Sequence, residues 1–256
     1  MNIIACYKIV PEEQDIVVLQ DRSLSFARAE WKIGQYDLNA IEAGMQIVET
    51  AGGQVAALSV GSQPLENSKL KKGVLSRGPE ELYLAVDPKL ADADTHLTAQ
   101  ALAAAIRKIG ACDLIICGEG SGDLYAQQVG AQLGELLNLP CINGISKITP
   151  QDNKIMAERT LENEVEVLEI PLPAVLSVTT DINLPRIPSM KNILAAGKKP
   201  VTQWDLSALD LEQAENKTQV LSTLAPEQVE RKQLILEGES EEVIQKLFES
   251  IRKELL

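Results

Sequence analysis

Aromatic residues are scarce in this sequence, two Phe, two Trp and four Tyr, or 3% of the chain. Proteins that hold single-stranded nucleic acid stack its bases on aromatic side chains, so that mode of binding is disfavoured. Basic residues are also in short supply, with 24 Lys and Arg against 37 Asp and Glu. The net charge of −13 repels a phosphate backbone, which leaves no nucleic-acid partner and favours a protein partner with basic patches. Histidine occurs once, as His96, with no carboxylate or serine spaced to work with it, so triad hydrolysis is not expected. There is no Cys-x-x-Cys pair. Cys6, Cys112, Cys117 and Cys141 each stand in apolar surroundings and read as reduced thiols, without a metal or disulfide role. No apolar run is long enough to cross a bilayer, and no basic region with a signal core opens the chain. A cytoplasmic location without membrane insertion is the expectation.

What is present is an ordinary globular balance of 45% hydrophobic and 24% charged residues. At 256 residues the chain can build one sizeable core and an appendage. The apolar pattern predicts a first strand over 2–9, broken at Pro11, and an excursion with short strands over 16–19 and 23–26. A helix over 37–50 presents Leu38, Ile41, Met45 and Val48 on one face and stops at Gly52-Gly53. Strands over 54–60, 81–86 and 113–117 alternate with helices over 65–75 and 94–109. Such alternation makes an α/β fold with a parallel sheet and right-handed crossovers. Ligands of these sheets collect outside the carboxyl ends of the strands, here 5–8, 59–61 and 118 onward.

The organising stretch is Gly118-Glu119-Gly120-Ser121-Gly122-Asp123-Leu124-Tyr125-Ala126-Gln127-Gln128-Val129-Gly130. A buried strand precedes it, and Val129, Leu133, Leu136 and Leu137 recur at helical spacing in a helix expected over 124–137. A glycine turn feeding a helix start aims main-chain N–H groups at one point, which suits a phosphate. The spacing is neither the dinucleotide fingerprint nor a Walker loop, and no lysine follows, so the main chain would do most of the binding. A plain strand-to-helix turn that binds nothing is the alternative.

Beyond Pro140 the pattern changes to a short antiparallel excursion over 145–148, 154–161 and 164–170, followed by a buried strand over 173–178. Residues 183–194 then combine two prolines with Ile187, Met190, Ile193 and Leu194. Stiffened chain with an adaptable methionine suits a protein-docking segment, whereas a helix packed on its own domain is the bland reading. Lys198-Lys199-Pro200 marks a boundary between a domain over 1–199 and a tail over 200–256. Residues 201–236 show no period and are expected either to be disordered or to lie across another surface. Ser240 caps a last helix with acidic residues at its start, Arg252 and Lys253 at its end, and an apolar stripe of Ile244, Leu247, Phe248 and Ile251. An arm and helix clasping a partner subunit is the expectation.

Four features taken together resemble the β subunit of electron-transfer flavoproteins, of the FixA type linked to anaerobic carnitine (crotonobetaine) reduction in enteric bacteria. They are the 118–130 stretch, the Ser76-Arg77-Gly78 turn, Asn183-Leu184-Pro185-Arg186 and the closing Lys198-Lys199. The likeness covers essentially the whole length. It implies a Rossmann-like domain of the adenine nucleotide α-hydrolase-like kind, paired with an α subunit of the FixB type that holds most of the FAD site. It also implies electron exchange with an acyl-CoA dehydrogenase or a quinone-linked oxidoreductase, and no catalytic side chain in this subunit. Nucleotide contacts would fall on Ala5, on Gly34, Gln35, Tyr36 and Asp37, on Val60, and on residues 118–129. Partner docking would use Arg186, Ile187, Met190, Ile193, Leu194, Lys198 and Lys199, with Met190 where an anchoring leucine is usual.

Two departures stand out. Gly34-Gln35-Tyr36 replaces the usual Asn-Pro-Phe, and the loop carries Gly120 and Tyr125 where the family has a Gly-x-Gln-Ser/Ala pattern with several aspartates. AMP and a second, electron-active FAD both remain as occupants of this site. Competing readings are a stand-alone adenine-nucleotide-binding stress-type module and an ATP-pyrophosphatase-like enzyme. The latter would need a Ser-Gly-Gly-x-Asp-Ser loop where Tyr7-Lys8-Ile9-Val10-Pro11 stands.

Overall fold

A computed structural model describes residues 1–227 and 233–255. The strands are β1 (Asn2–Cys6), β2 (Ile9–Pro11), β3 (Val17–Val18), β4 (Leu24–Ser25), β5 (Trp31–Ile33), β6 (Gln54–Gly61), β7 (Glu81–Val86), β8 (Leu114–Gly118), β9 (Cys141–Gln151), β10 (Lys154–Thr160), β11 (Val165–Pro171), β12 (Ala174–Val178) and β13 (Val201–Trp204). The helices are α1 (Gln35–Ala51), α2 (Ser68–Leu75), α3 (Thr95–Ile109), α4 (Val129–Leu137), α5 (Met190–Ala196) and α6 (Glu241–Leu255).

Nine strands make one sheet in the order β11-β10-β9-β12-β8-β1-β6-β7-β13. From β9 to β13 along this order the pairing is parallel, while β10 and β11 add an antiparallel flap. This is the Rossmann-like α/β fold that the alternating pattern implies. The period of two along β1 divides the core. Ile3, Ala5 and Tyr7 face the layer containing Ile41 and Ile47 of α1 and Val74 of α2. Ile4 and Cys6 face the opposite layer, with Leu97, Leu102 and Ile106 of α3 and Leu133 of α4.

The chain runs from β1 outward to β6 and β7, then returns through α3 to β8 on the other side of β1. The direction of winding therefore reverses between β1 and β8, the place where sheets of this kind form a crevice at the carboxyl ends of their strands. The three strand ends expected to share a crevice are neighbours in the sheet.

Local differences from the sequence reading have identifiable causes. The helix expected over 65–75 is split, because Asn67 accepts the Lys69 N–H at 2.8 Å and starts α2 afresh after a 3-10 turn. The helix expected over 124–137 begins only at Val129. Tyr125 and Gln127 adopt left-handed backbone angles, φ 45° and 55°, which a right-handed helix cannot contain. Residues 201–204, which show no period, form the edge strand β13 beside β7, and Leu206 and Leu209 are buried in the α3 layer. An edge strand this short is stabilised by its neighbour's main chain and needs no pattern of its own. Residues 228–232 of the tail lie outside the described residues.

Candidate functional site at the strand switch point

The crevice between β1 and β8 is closed at its base by Asp37 in the first turn of α1. Its Oδ2 accepts the Lys8 main-chain N–H at 3.0 Å, and the Gly118 N–H also donates to the carboxyl group. The Gly34 N–H donates to the Lys8 carbonyl at 2.9 Å, so the start of α1 is stitched to the end of β1. Burial raises the Asp37 pKa from 3.8 to about 7; the Lys8 N–H and ammonium oppose this, and the charge of Asp123 adds to it.

Gly118 is a glycine because Tyr36 stands against it. A Cβ there would lie 2.6 Å from the Tyr36 Cβ and 3.0 Å from Asp37 Oδ1. At Gly120 a Cβ would collide with the Tyr125 ring. At Gly122 nothing lies within 4 Å. None of these three has a positive φ, so their role is close approach and not turn strain.

The loop is tied down at both ends. The Glu119 N–H donates to the Val178 carbonyl at 3.0 Å, and the Tyr125 N–H donates to the Ser121 carbonyl at 3.1 Å. Lys8 Nζ pairs with Asp123 Oδ2 at 2.6 Å. Burial works against the Asp123 charge, yet the Lys8 ammonium and the Ser121 hydroxyl hold its carboxyl below the usual range. Among the described residues no acceptor takes the N–H groups of Gly120, Ser121, Gly122 or Asp123. The first turn of α4 likewise has no side-chain cap. Unclaimed N–H groups beside an open glycine fit a phosphate or pyrophosphate.

The expected contact residues do not all reach this point. Gly34, Tyr36, Asp37, Gly118, Glu119, Gly120, Asp123 and Tyr125 are brought together around the switch point. Ala5 is fully buried inside the sheet, paired with Ala57 and Ile116. Val60 lies near the end of β6 on the α3 side. Gln35 is exposed, and its amide donates to Asn39 Oδ1 at 3.2 Å. Leu124, Ala126, Gln127 and Gln128 are exposed on the outer loop, and Val129 opens α4. Lys8 belongs to the 5–8 strand end expected to line the crevice, but its ion pair with Asp123 was not anticipated, since a lone lysine carries no pattern.

The model of the electron transfer flavoprotein domain matches residues 23–209. The chain belongs to the electron transfer flavoprotein family. The match runs from the β4 hairpin to the 3-10 turn after β13 and takes in every strand of the main sheet except β1.

This flavoprotein-family chain keeps a second set of residues apart from the crevice. Segment 183–186 is bolted to the buried face of α1. Asn39 Nδ2 donates to the carbonyls of Thr180 and Asn183, and Asn183 Nδ2 donates back to the Asn39 carbonyl at 3.0 Å. Arg186 Nε meets Glu42 Oε2 at 2.6 Å and its Nη1 meets Glu49 Oε1 at 2.6 Å. The signal that could have revealed this interlock is the pair Asn39 and Glu42, polar positions on the inward face of an apolar helix. Lys199 is spent on its own domain too, donating to the carbonyls of Leu75, Gly78 and Pro79 at 3.3, 2.9 and 2.7 Å.

Between these anchors, Leu184, Ile187, Met190 and Leu194 are 90%, 93%, 72% and 72% exposed. Ile193 and Lys198 of the same segment are also exposed. Four large apolar side chains are thus held out into solvent by a fixed frame as an exposed apolar patch.

Residues 212–227 follow the domain surface. Asp94 takes the N–H groups of Lys217 and Thr218, and the Ala225 N–H donates to the Arg22 carbonyl at 2.8 Å. In α6, Ile244, Leu247, Phe248 and Ile251 are all exposed along one stripe. Among the described residues no helix is long and apolar enough to cross a membrane.

Proposed function

We propose that this chain is the β subunit of a heterodimeric electron-transfer flavoprotein of the FixA type. Its α partner is of the FixB type, and it serves anaerobic carnitine (crotonobetaine) reduction in the cytoplasm. The observation that carries the reading is the strand switch point in a chain of this family, where the N–H groups of residues 120–123 have no acceptor and a Cβ on Gly122 would meet open space. Those groups would hold the phosphates of AMP or of a second FAD. Tyr36 and residues 118–129 would form the walls, and the main chain beside Ala5 and Val60 the floor.

When bound, the flavin supplies the redox chemistry, accepting and releasing electrons that no side chain of this chain can carry. The protein's share is to bind, orient and present. The exposed Ile187, Met190, Ile193 and Leu194 would dock an acyl-CoA dehydrogenase or a quinone-linked oxidoreductase. Arg186 and Lys199 would act as the fixed ends of that segment, and Lys198 as its charged rim. The stripe of α6 would cover apolar surface on the α subunit, so that residues 200–256 work as a clasp.

Co-expression with an α subunit, followed by denaturation and chromatography of the released nucleotides, tests the reading. One FAD with one AMP, or two FAD, per heterodimer is expected. A single FAD and no other nucleotide would remove the site from this chain, and failure to form a heterodimer would remove the clasp.

A further inference from the structure

We propose that Tyr125, with Tyr36 packed behind it, selects a planar base by stacking its exposed ring on the base of the nucleotide whose phosphates meet the main chain of 120–123. The inference rests on the nucleotide-site reading given above and goes beyond it in assigning the base-recognising rings.

Four observations converge on Tyr125. Its backbone lies at φ 45°, with Gln127 at φ 55°, a conformation that a bulky residue adopts only when its surroundings hold it there. Its hydroxyl donates to Glu119 Oε1 at 2.9 Å and accepts from Gln127 Nε2 at 3.3 Å, so the phenol is steered from both sides. Its ring occupies the place where any side chain at position 120 would go, so Gly120 exists to admit it. The Tyr36 ring stands 5.5 Å away, tilted by 44°.

Despite these ties Tyr125 is 44% exposed, and it lies directly beside the main chain with unclaimed N–H groups. In a chain with only four tyrosines, two meet at the mouth of this crevice. An exposed aromatic face backed by a second ring and set beside N–H groups that lack acceptors suits a base and its phosphate, because every base offers a π-face to stack on.

The test uses the full chain purified with its partner subunit and depleted of nucleotide in mild denaturant. Isothermal titration with AMP is compared with titration by ribose 5-phosphate, which has the phosphate and sugar but no base. In the unaltered protein AMP binds more tightly than ribose 5-phosphate. Tyr125→Ala is expected to weaken AMP at least about tenfold, leave ribose 5-phosphate unchanged and keep the melting temperature. Tyr125→Phe keeps the AMP affinity, since it keeps the face. Unchanged AMP binding in Tyr125→Ala, equal loss for both probes, or tighter binding of both would overturn the assignment, the last showing a ring that merely fills space. If the unaltered protein binds neither probe, the nucleotide site itself fails and the assignment falls with it.

Discussion

Asp37 and Lys8 meet through a carboxylate and a main-chain N–H 3.0 Å apart, joining the first turn of α1 to the end of β1. The same carboxyl group takes the Gly118 N–H, so one buried side chain spans the point where the sheet reverses its winding. The position of the 118–129 loop over α1 depends on that bridge.

The first prediction concerns pH. An acid whose pKa rises from 3.8 to about 7 on folding binds more protons folded than unfolded between those values. Its contribution to stability is therefore greatest at acid pH and is lost as pH climbs through 7. Asp37→Asn removes this slope. Urea unfolding between pH 5 and 8 should show the variant gaining on the parent protein with rising pH, by on the order of 2 kcal/mol. A difference that stays flat across the series would contradict the burial argument.

Gly122 and Gly118 should behave oppositely. Gly122→Val places its side chain in open space, so the fold survives while the nucleotide is expelled. Gly118→Ala drives a methyl group against Tyr36 and should cost about 1–3 kcal/mol of stability. Melting curves and nucleotide counts on both purified variants separate the effects. Full nucleotide content in Gly122→Val would refute the cradle.

Met190 is 72% exposed, so Met190→Ala should change stability by less than about 0.5 kcal/mol. Electron transfer to the acceptor dehydrogenase should weaken several-fold while flavin content holds. Stopped-flow rates against acceptor concentration, with a flavin spectrum of the same sample, decide the matter. Loss of flavin, or unaltered rates, would move docking elsewhere.

Lys199 should matter for stability and not for docking. Lys199→Met removes the donor shared by the carbonyls of Leu75, Gly78 and Pro79, of which Leu75 keeps the Gly78 N–H, and should cost about 1–3 kcal/mol. The urea midpoint should fall with an unchanged slope, and acceptor affinity should stay as it was. A normal midpoint with weakened docking would restore Lys199 to the contact surface.

Much of this architecture is legible in the chain itself. The strand over 81–86 and the Asp94-capped helix are written in local pattern, because apolar period and a capping side chain act within a few residues. The exposed Ile187, Met190 and Leu194 agree with the proline-stiffened apolar segment, although Met190, Ile193 and Leu194 stand at helical spacing and lie in α5. The spacing of glycines marks where the chain comes close to something, but not to what. Gly118 and Gly120 approach the protein's own Tyr36 and Tyr125, and only Gly122 faces open space.

Sequence alone determined the alternating strands and helices, and with them a parallel sheet whose carboxyl ends form a crevice, since periodicity and capping are local properties. Tertiary structure alone decided that α4 starts at Val129, that β13 joins the sheet edge, and that Asp37, Lys8, Asn39 and Arg186 become interlocks. Apart from the start of α4, set by the left-handed Tyr125 and Gln127, each of those outcomes is fixed by a partner distant in the chain, and a hydrogen bond across such a gap leaves no spacing to read.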